Sequence, residues 1–462
     1  MTDISALRNP EATRGAAQAD FLGHPPALPF LFATEMWERF SYYGMRALLV
    51  LYMVKYAFQP DVAGTVIGLA GLKHGLEALF GPLDIQPLAS QVYGLYTGLV
   101  YLTPMLGGFL ADRVLGHRRT VIIGASLMAI GHFMMAFEPL LLFALAFLIF
   151  GNGAFKPNMS AQVGELYPPG DARRDRAYSI FYVGINLGAF LAPLVCGTLG
   201  ERVGWHYGFA AAGVGMLIGL ATYLYASPKL PPDRLFTQRG REKRPLGPDE
   251  RRAIVALLIL FVPASLFWAT YEQQGNTIAL WADQHTDRTI NLLFWSAEIP
   301  TTWFQAFNPF MIFAFTPFVV ALWARQARRG SEPTTLTKMA FGCFLCAASY
   351  VLMAGAALYA GPDKASWLWL FGYFVIITTG ELYLSPIGLS LVSKVAPASY
   401  LSMMMGVWLA ASFTGNFLQG YLGSFWSSMD KPAFFVMIAA VAFAAGVMFL
   451  LFNRPLHAAL RQ

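Results

Sequence analysis

The stretch EMWERFSYYGMR puts Glu35, Glu38, Arg39 and Arg46 within twelve residues, between the apolar runs PFLFAT and ALLVLYMV. A carboxylate beside a guanidinium can take up and release a proton, and a guanidinium can grip a second carboxylate through two parallel hydrogen bonds. At about 100° per helical residue, Arg39, Tyr42 and Arg46 lie within about 40° of Glu35, and Glu38 within about 60°. The charges therefore form one stripe. A charge at the centre of a membrane helix costs at least about 2.5–3.5 kcal/mol, so such a stripe faces partners or water. An internal ladder, Glu35–Arg39 with Glu38–Arg39 or Tyr42, is the purely structural alternative. A ladder needs neither a second arginine nor neighbouring tyrosines, so the stripe is expected to line a polar cavity.

Other polar residues interrupt apolar runs further along: Lys156 near Asn158, Tyr182 and Asn186, Glu272 and Gln273, Asn308, Glu381, Trp408 and Ser412. Arg39, Arg46 and Lys156 belong to the first half of the chain, Glu272 and Glu381 to the second. A cavity between the halves would be positive on one wall and negative on the other, which suits a zwitterion. Its carboxylate would dock on Arg46 and Lys156, and its ammonium on Glu381 or Glu272. Tyr42, Tyr43, Tyr96, Trp268 and Trp408 are candidate side-chain pockets, with lipid-facing packing as the alternative for each. A Lys156–Glu381 pair that closes the cavity is a second role for those two residues.

These residues must be carried by membrane-spanning helices. The chain has 462 residues, 56% hydrophobic and only 13% charged, with a mean hydropathy of +0.50. Apolar runs of about 20 residues recur along it, the length that crosses a bilayer core. A β-barrel would show short alternating segments instead. Twelve spans are expected: 28–56, 88–112, 118–137, 139–161, 175–200, 205–227, 251–282, 300–328, 334–360, 365–396, 400–428 and 431–453. The first run carries charges in its middle and lacks a small-residue cleavage site, unlike a signal peptide. Lys and Arg gather in alternate loops, a pattern that puts both termini in the cytoplasm. The organisation read is a tail 1–27, a six-helix bundle 28–227, a linker 228–250, a second bundle 251–453 and a tail 454–462.

The net charge of +6 belongs to those loops and is no sign of nucleic-acid binding. Cys343 and Cys346 form a C-x-x-C inside an apolar span without a nearby His or charged partner, so neither a metal nor a cofactor is expected. The seven histidines are scattered, which leaves no enzyme-like cluster. A channel would show rings of one sign rather than opposed walls.

The halves share faint patterns. YLTPMLGGFLADRVLGHRR (101–119) parallels AFTPFVVALWARQARRG (314–330), and FGNGAFKPNMS (150–160) parallels TGELYLSPIGLS (379–390). A duplicated six-helix unit with its site between the repeats is a transporter architecture. GGFLADRVLGHRR resembles the loop between the second and third helices of the major facilitator superfamily, where Asp112 and Arg113 would form a charge latch or merely anchor topology.

EMWERFSYYGMR resembles the E-x-x-E-R-F-x-Y-Y-G signature of proton-coupled oligopeptide transporters of that superfamily. FYVGINLG, FWATYEQQG, WFQAFNP and GELYLSPIGLS resemble its fifth-, seventh-, eighth- and tenth-helix patterns. The resemblance implies an all-α integral membrane protein that imports di- and tripeptides with protons. It implies that Glu35, Glu38 and Arg39 couple the proton, and that Arg46 and Lys156 hold the peptide carboxylate. Asn186, Asn308 and Glu381 would meet the backbone or amino end, and Glu272 is the acidic position of the seventh helix. Tyr42, Tyr43, Tyr96, Trp268, Trp408 and Ser412 would line the pockets. Some members carry a histidine on the second helix where this chain has Gly94, which moves proton coupling onto the glutamates. Many bacterial members carry two extra helices between the halves, for which 228–250 is too short. The expected setting is the bacterial inner membrane and the expected state a monomer, with transport of nitrate or an amino acid derivative as the alternative.

Overall fold

Inside a bilayer every backbone N–H and C=O must find its partner within the chain, so long apolar segments become helices. The computed structural model describes residues 23–168, 171, 173–233, 247–292, 295–397 and 401–456. Twelve long helical rods run through them: α1 (Leu28–Tyr52), α2 (Ile85–Leu115), α3 (His117–Met134), α4 (Glu138–Glu165), α5 (Arg173–Arg202), α6 (Trp205–Lys229), α7 (Pro248–Gln284), α8 (Thr301–Arg328), α9 (Thr335–Ala360), α10 (Trp367–Val395), α11 (Leu401–Gly423) and α12 (Lys431–Leu456). Among the described residues, nine of the rods are long and apolar enough to cross a membrane by length and composition. The charged α1, the shorter α3 and α11 are outside that nine.

The packing repeats with a period of six helices. In the first half α1 packs on α5 and α6, α3 on α4 and α6, and α2 on α4. In the second half α7 packs on α11 and α12, α9 on α10 and α12, and α8 on α10. Adding six to each label of the first set gives the second. The halves meet through α2 on α11 and α5 on α8, which the same operation exchanges. The Thr-Pro pairs seen in sequence, Thr103-Pro104 and Thr316-Pro317, fall on the equivalent rods α2 and α8, and Pro157 and Pro386 interrupt the equivalent rods α4 and α10. Internal prolines remove a backbone donor and let a helix bend.

Several details depart from the sequence reading. A short helix, Leu69–Phe80, and a hairpin, β2 (Thr289–Leu292) with β3 (Trp295–Glu298), occupy segments read as loops. The two-residue strands β1 (Thr286–Asp287) and β4 (Ala365–Ser366) pair in parallel. α7 is not continuous: a tight turn at Glu272–Gly275 breaks it. The 228–250 segment is partly helical, since α6 runs to Lys229 and α7 starts at Pro248. Its Asp233 accepts a hydrogen bond from the Arg118 backbone N–H (3.1 Å), while the Arg118 guanidinium donates to the Leu230 carbonyl. The tails 1–22 and 457–462 and the linker centre 234–246 lie outside the described residues.

α1 starts and α12 finishes at what is here called the terminal end. Contacts that join the halves gather at the opposite, far end. Lys55 donates to Asp283 (2.8 Å), Gln86 to the Gly423 carbonyl (2.9 Å), and Ser90 to Asn276 (2.9 Å). Glu201 at the end of α5 accepts from the backbone N–H groups of Thr301 (2.8 Å) and Thr302 (2.7 Å) at the start of α8. A carboxylate at a helix N-terminus satisfies donors that the helix itself cannot.

Candidate substrate cavity

The two halves enclose a cavity of about 420 Å³, the size range of a small-molecule site. Glu35, Arg39, Tyr43 and Arg46 of α1, Lys156 of α4 and Asn186 of α5 form one wall. Trp268 and Glu272 of α7, Asn308 of α8, Glu381 of α10, and Trp408 and Ser412 of α11 form the other. It continues past Ser385, Leu389 and Leu409 toward the terminal end.

Three expected site residues sit behind these walls. Tyr42, Tyr96 and Glu38 are 5%, 2% and 0% exposed and do not line the cavity. The cause is rotation. Glu35, Arg39, Tyr43 and Arg46 span angles from about 0° to +80°, so the wall of α1 is centred near +40°. Tyr42 and Glu38, at about −20° and −60°, turn into the first bundle. There Glu38 accepts from Arg39 Nε (2.5 Å) and from Asn152 Nδ2 (3.1 Å).

Arg39 also lies 3.2 Å from Glu35 Oε1. Glu35 Oε2 and Arg39 Nη2 are buried without a hydrogen-bond partner among the described residues. An unpartnered carboxylate oxygen at a cavity wall is costly as an anion and available to a proton. The ion ladder of the structural alternative thus exists alongside the cavity wall, and it is incomplete at Glu35.

Arg46 pairs with Glu272 across the halves, and its Nε donates to Tyr93 Oη (2.7 Å). Tyr93 reaches it because Gly275 leaves room: a Cβ there would stand 1.9 Å from Tyr93 Oη. The two charges assigned to opposite ends of a zwitterion therefore neutralise one another at the far end of the cavity. Glu381 remains as the anion of the second wall. Its Oε2 accepts from Tyr271 Oη (2.5 Å) and Asn308 Nδ2 (2.9 Å). Lys156 forms no ion pair among the described residues; its Nζ lies 4.9 Å from the ring centre of Tyr101. The Lys156–Glu381 pair expected as a gate is therefore unmade in this conformation, although both residues face the same space.

Gly94, which the sequence resemblance sets against a histidine of some members, has no space for any side chain. A Cβ would stand 2.6 Å from the Asn416 carbonyl and from Gly420 Cα, so α2 and α11 touch backbone to backbone. Of the loop latch, Asp112 lies 3.6 Å from His117, which also approaches Glu165 (3.4 Å), while Arg113 covers the Phe109 ring. No group of three or more His, Cys, Asp or Glu among the described residues is placed to hold a metal ion.

The sequence reading missed Tyr101, Tyr271, Gln274 and Gln305, all cavity-lining. Tyr271 was findable: it follows Trp268 by three residues within FWATYEQQG, on the same helix face. Tyr101 lies about 140° around α2 from Tyr96, so a choice of Tyr96 selects the wrong face.

The POT family model matches residues 118–234 and 243–441. The chain is 32% identical to a di-/tripeptide transporter of Lactococcus lactis subsp. cremoris, over 94% of this chain and 96% of that protein. It is 32% identical to the peptide transporter YePEPT of Yersinia enterocolitica subsp. palearctica, over 87% and 88% of the two chains. A crystal structure of the peptide transporter POT with alafosfalin superposes with a TM-score of 0.84 at 30% identity, over 98% of this chain and 99% of that one. A POT family transporter with 5-aminolevulinic acid superposes at 0.82 with 28% identity, over 96% and 99%. On this match the chain, a multi-pass membrane transporter and not an enzyme, belongs to the POT family.

Proposed function

We propose that this protein imports di- and tripeptides with protons, by exposing the cavity alternately to the two sides of the membrane. The observation that carries the reading is the two-poled cavity between pseudo-symmetric halves. Lys156 and Arg39 with Arg46 stand on one wall, Glu381 with Asn308 on the other. A peptide is a zwitterion with separated charges, and each charge finds an opposite pole. The relatives named as di-/tripeptide and peptide transporters support the same substrate class.

The bundles 28–227 and 251–453 are the moving bodies, joined by 228–250. The basic loops favour a cytoplasmic terminal end in the bacterial inner membrane. With that orientation the far-end bonds support a cytoplasm-facing state, with the outer side shut. A Lys156–Glu381 contact would belong to the opposite state, when the terminal end closes. Proton and peptide couple because the peptide carboxylate and the glutamates compete for the same cations. A carboxylate that takes a proton releases Arg39 or Arg46 to the peptide, and by reciprocity the peptide promotes protonation. The unpartnered oxygen of Glu35 suits it to the proton site. The proposed working unit is the monomer.

The test is uptake of labelled dialanine into proteoliposomes under an inward proton gradient, with unlabelled dialanine, nitrate or 5-aminolevulinic acid as competitors. Gradient-stimulated uptake blocked by dialanine supports the reading. Uptake absent for dialanine but present for the amino acid derivative, the ligand held by one relative's structure, would replace it.

A further inference from the structure

The negative pole of the cavity is built in an unequal way. One oxygen of Glu381, Oε2, accepts from Tyr271 Oη and Asn308 Nδ2, while Oε1 forms no hydrogen bond among the described residues. Asn308 Nδ2 has a second and a third acceptor beside it, Thr378 Oγ1 (3.0 Å) and Tyr271 Oη (3.1 Å). Three acceptors around one end of the amide fix its orientation, because the flipped form would set its oxygen against the Glu381 carboxylate. Asn308 Oδ1 is thereby left without a partner among the described residues. Tyr271 is the link: one hydroxyl donates to Glu381 and accepts from Asn308. Its ring is itself fixed, stacked on Phe267 (5.6 Å between centroids, 18° between planes) and edge-on to Trp268.

We propose that Tyr271 is a positioning residue for the ammonium end of the substrate, which aims Glu381 Oε1 and Asn308 Oδ1 into the cavity. The assignment rests on the peptide reading above. Tyrosine performs this task without neutralising the site. Arg46 cancels the charge of Glu272, whereas Tyr271, Asn308 and Thr378 are neutral groups that hold Glu381 in place and leave its charge to the substrate. Hydrogen bonds also make a buried carboxylate tolerable without a cation.

The test compares dialanine with N-propionyl-alanine, which has the same length and carboxylate but no ammonium. Inhibition constants are measured against labelled dialanine binding for wild type, Tyr271→Phe and Thr378→Val. In Tyr271→Phe, the preference for dialanine over propionyl-alanine should fall about tenfold, entirely through weaker dialanine binding, as loss of a hydrogen bond to a charged group would give. Thr378→Val removes one Asn308 acceptor and leaves the Tyr271–Glu381 bond, so its loss should be in the same direction and smaller, about threefold. An equal weakening of both probes would mean that Tyr271 only packs, and an unchanged preference in both variants would remove it from the site. Wild type that does not prefer dialanine would instead overturn the peptide reading, and the assignment with it. If Tyr271→Phe does not fold, the Thr378→Val preference decides alone.

Discussion

Arg46 on α1 and Glu272 on α7 form an ion pair that ties the two halves together at the far end of the cavity, with their side chains 10% and 4% exposed. A substrate carboxylate that engages Arg46 competes with Glu272 for one guanidinium, and removal of one partner from a buried pair costs about 3–5 kcal/mol.

Glu272→Gln removes the charge that holds Arg46, so dialanine should bind more tightly to this variant than to wild type, since Arg46 no longer has a competing anion. Arg46→Ala should weaken dialanine binding by about 10- to 100-fold. Calorimetry on purified protein at one pH reads both, and unchanged affinity in Glu272→Gln would contradict the competition.

Glu35→Gln should uncouple without blocking. The glutamine keeps the shape of the wall but offers no carboxylate to the proton. Counterflow of labelled dialanine against unlabelled dialanine should stay within a few-fold of wild type, while accumulation driven by a proton gradient is lost. Normal accumulation by this variant would move proton coupling elsewhere.

The Glu201 carboxylate accepts from Thr301 N, Thr302 N and Thr302 Oγ1 (2.7 Å) and lies 3.7 Å from Arg288. These bonds join α5 of the first half to the start of α8 in the second at the far end. Glu201→Ala should shift the population toward far-end opening, seen as longer inter-label distances by pulsed electron resonance between Thr198→Cys and Trp303→Cys. By contrast, Lys55→Ala should shift it little, because Lys55 is 48% exposed and such pairs contribute about 1 kcal/mol or less. Unchanged distances in Glu201→Ala would assign the closure to backbone packing.

That packing has its own test. Gly94→Ala puts a methyl group 2.6 Å from the Asn416 carbonyl, so it should lower the melting temperature and cut dialanine uptake. Gly71→Ala on the short helix meets nothing within 4 Å and should leave both intact or slightly raise stability.

The fold was largely legible because lipid leaves a chain few options: each apolar run had to be a helix, and the Thr-Pro pairs and the Gly and Pro shared at one offset marked the repeat. The cavity was legible through its charges, since Glu35, Arg39, Arg46, Lys156, Glu272 and Glu381 had no other affordable place. Less visible was which charges cancel. Spacing on one helix says nothing of a partner 226 residues away, and so the Arg46–Glu272 pair could not be read. Tyr42 stands about 60° from the centre of the α1 wall, enough to turn it into the first bundle. The helix Leu69–Phe80 was hidden because its glycines, Gly71 and Gly75, weaken the helical pattern.

The measurement that bears most directly on the account is the internal pH of proteoliposomes, followed with a trapped dye, when dialanine is added outside with no imposed gradient. Wild type is predicted to acidify the interior as dialanine enters, and Glu35→Gln to take up dialanine by exchange without acidification. Dialanine uptake by wild type at constant internal pH would contradict proton coupling and leave the cavity as the site of a passive peptide carrier.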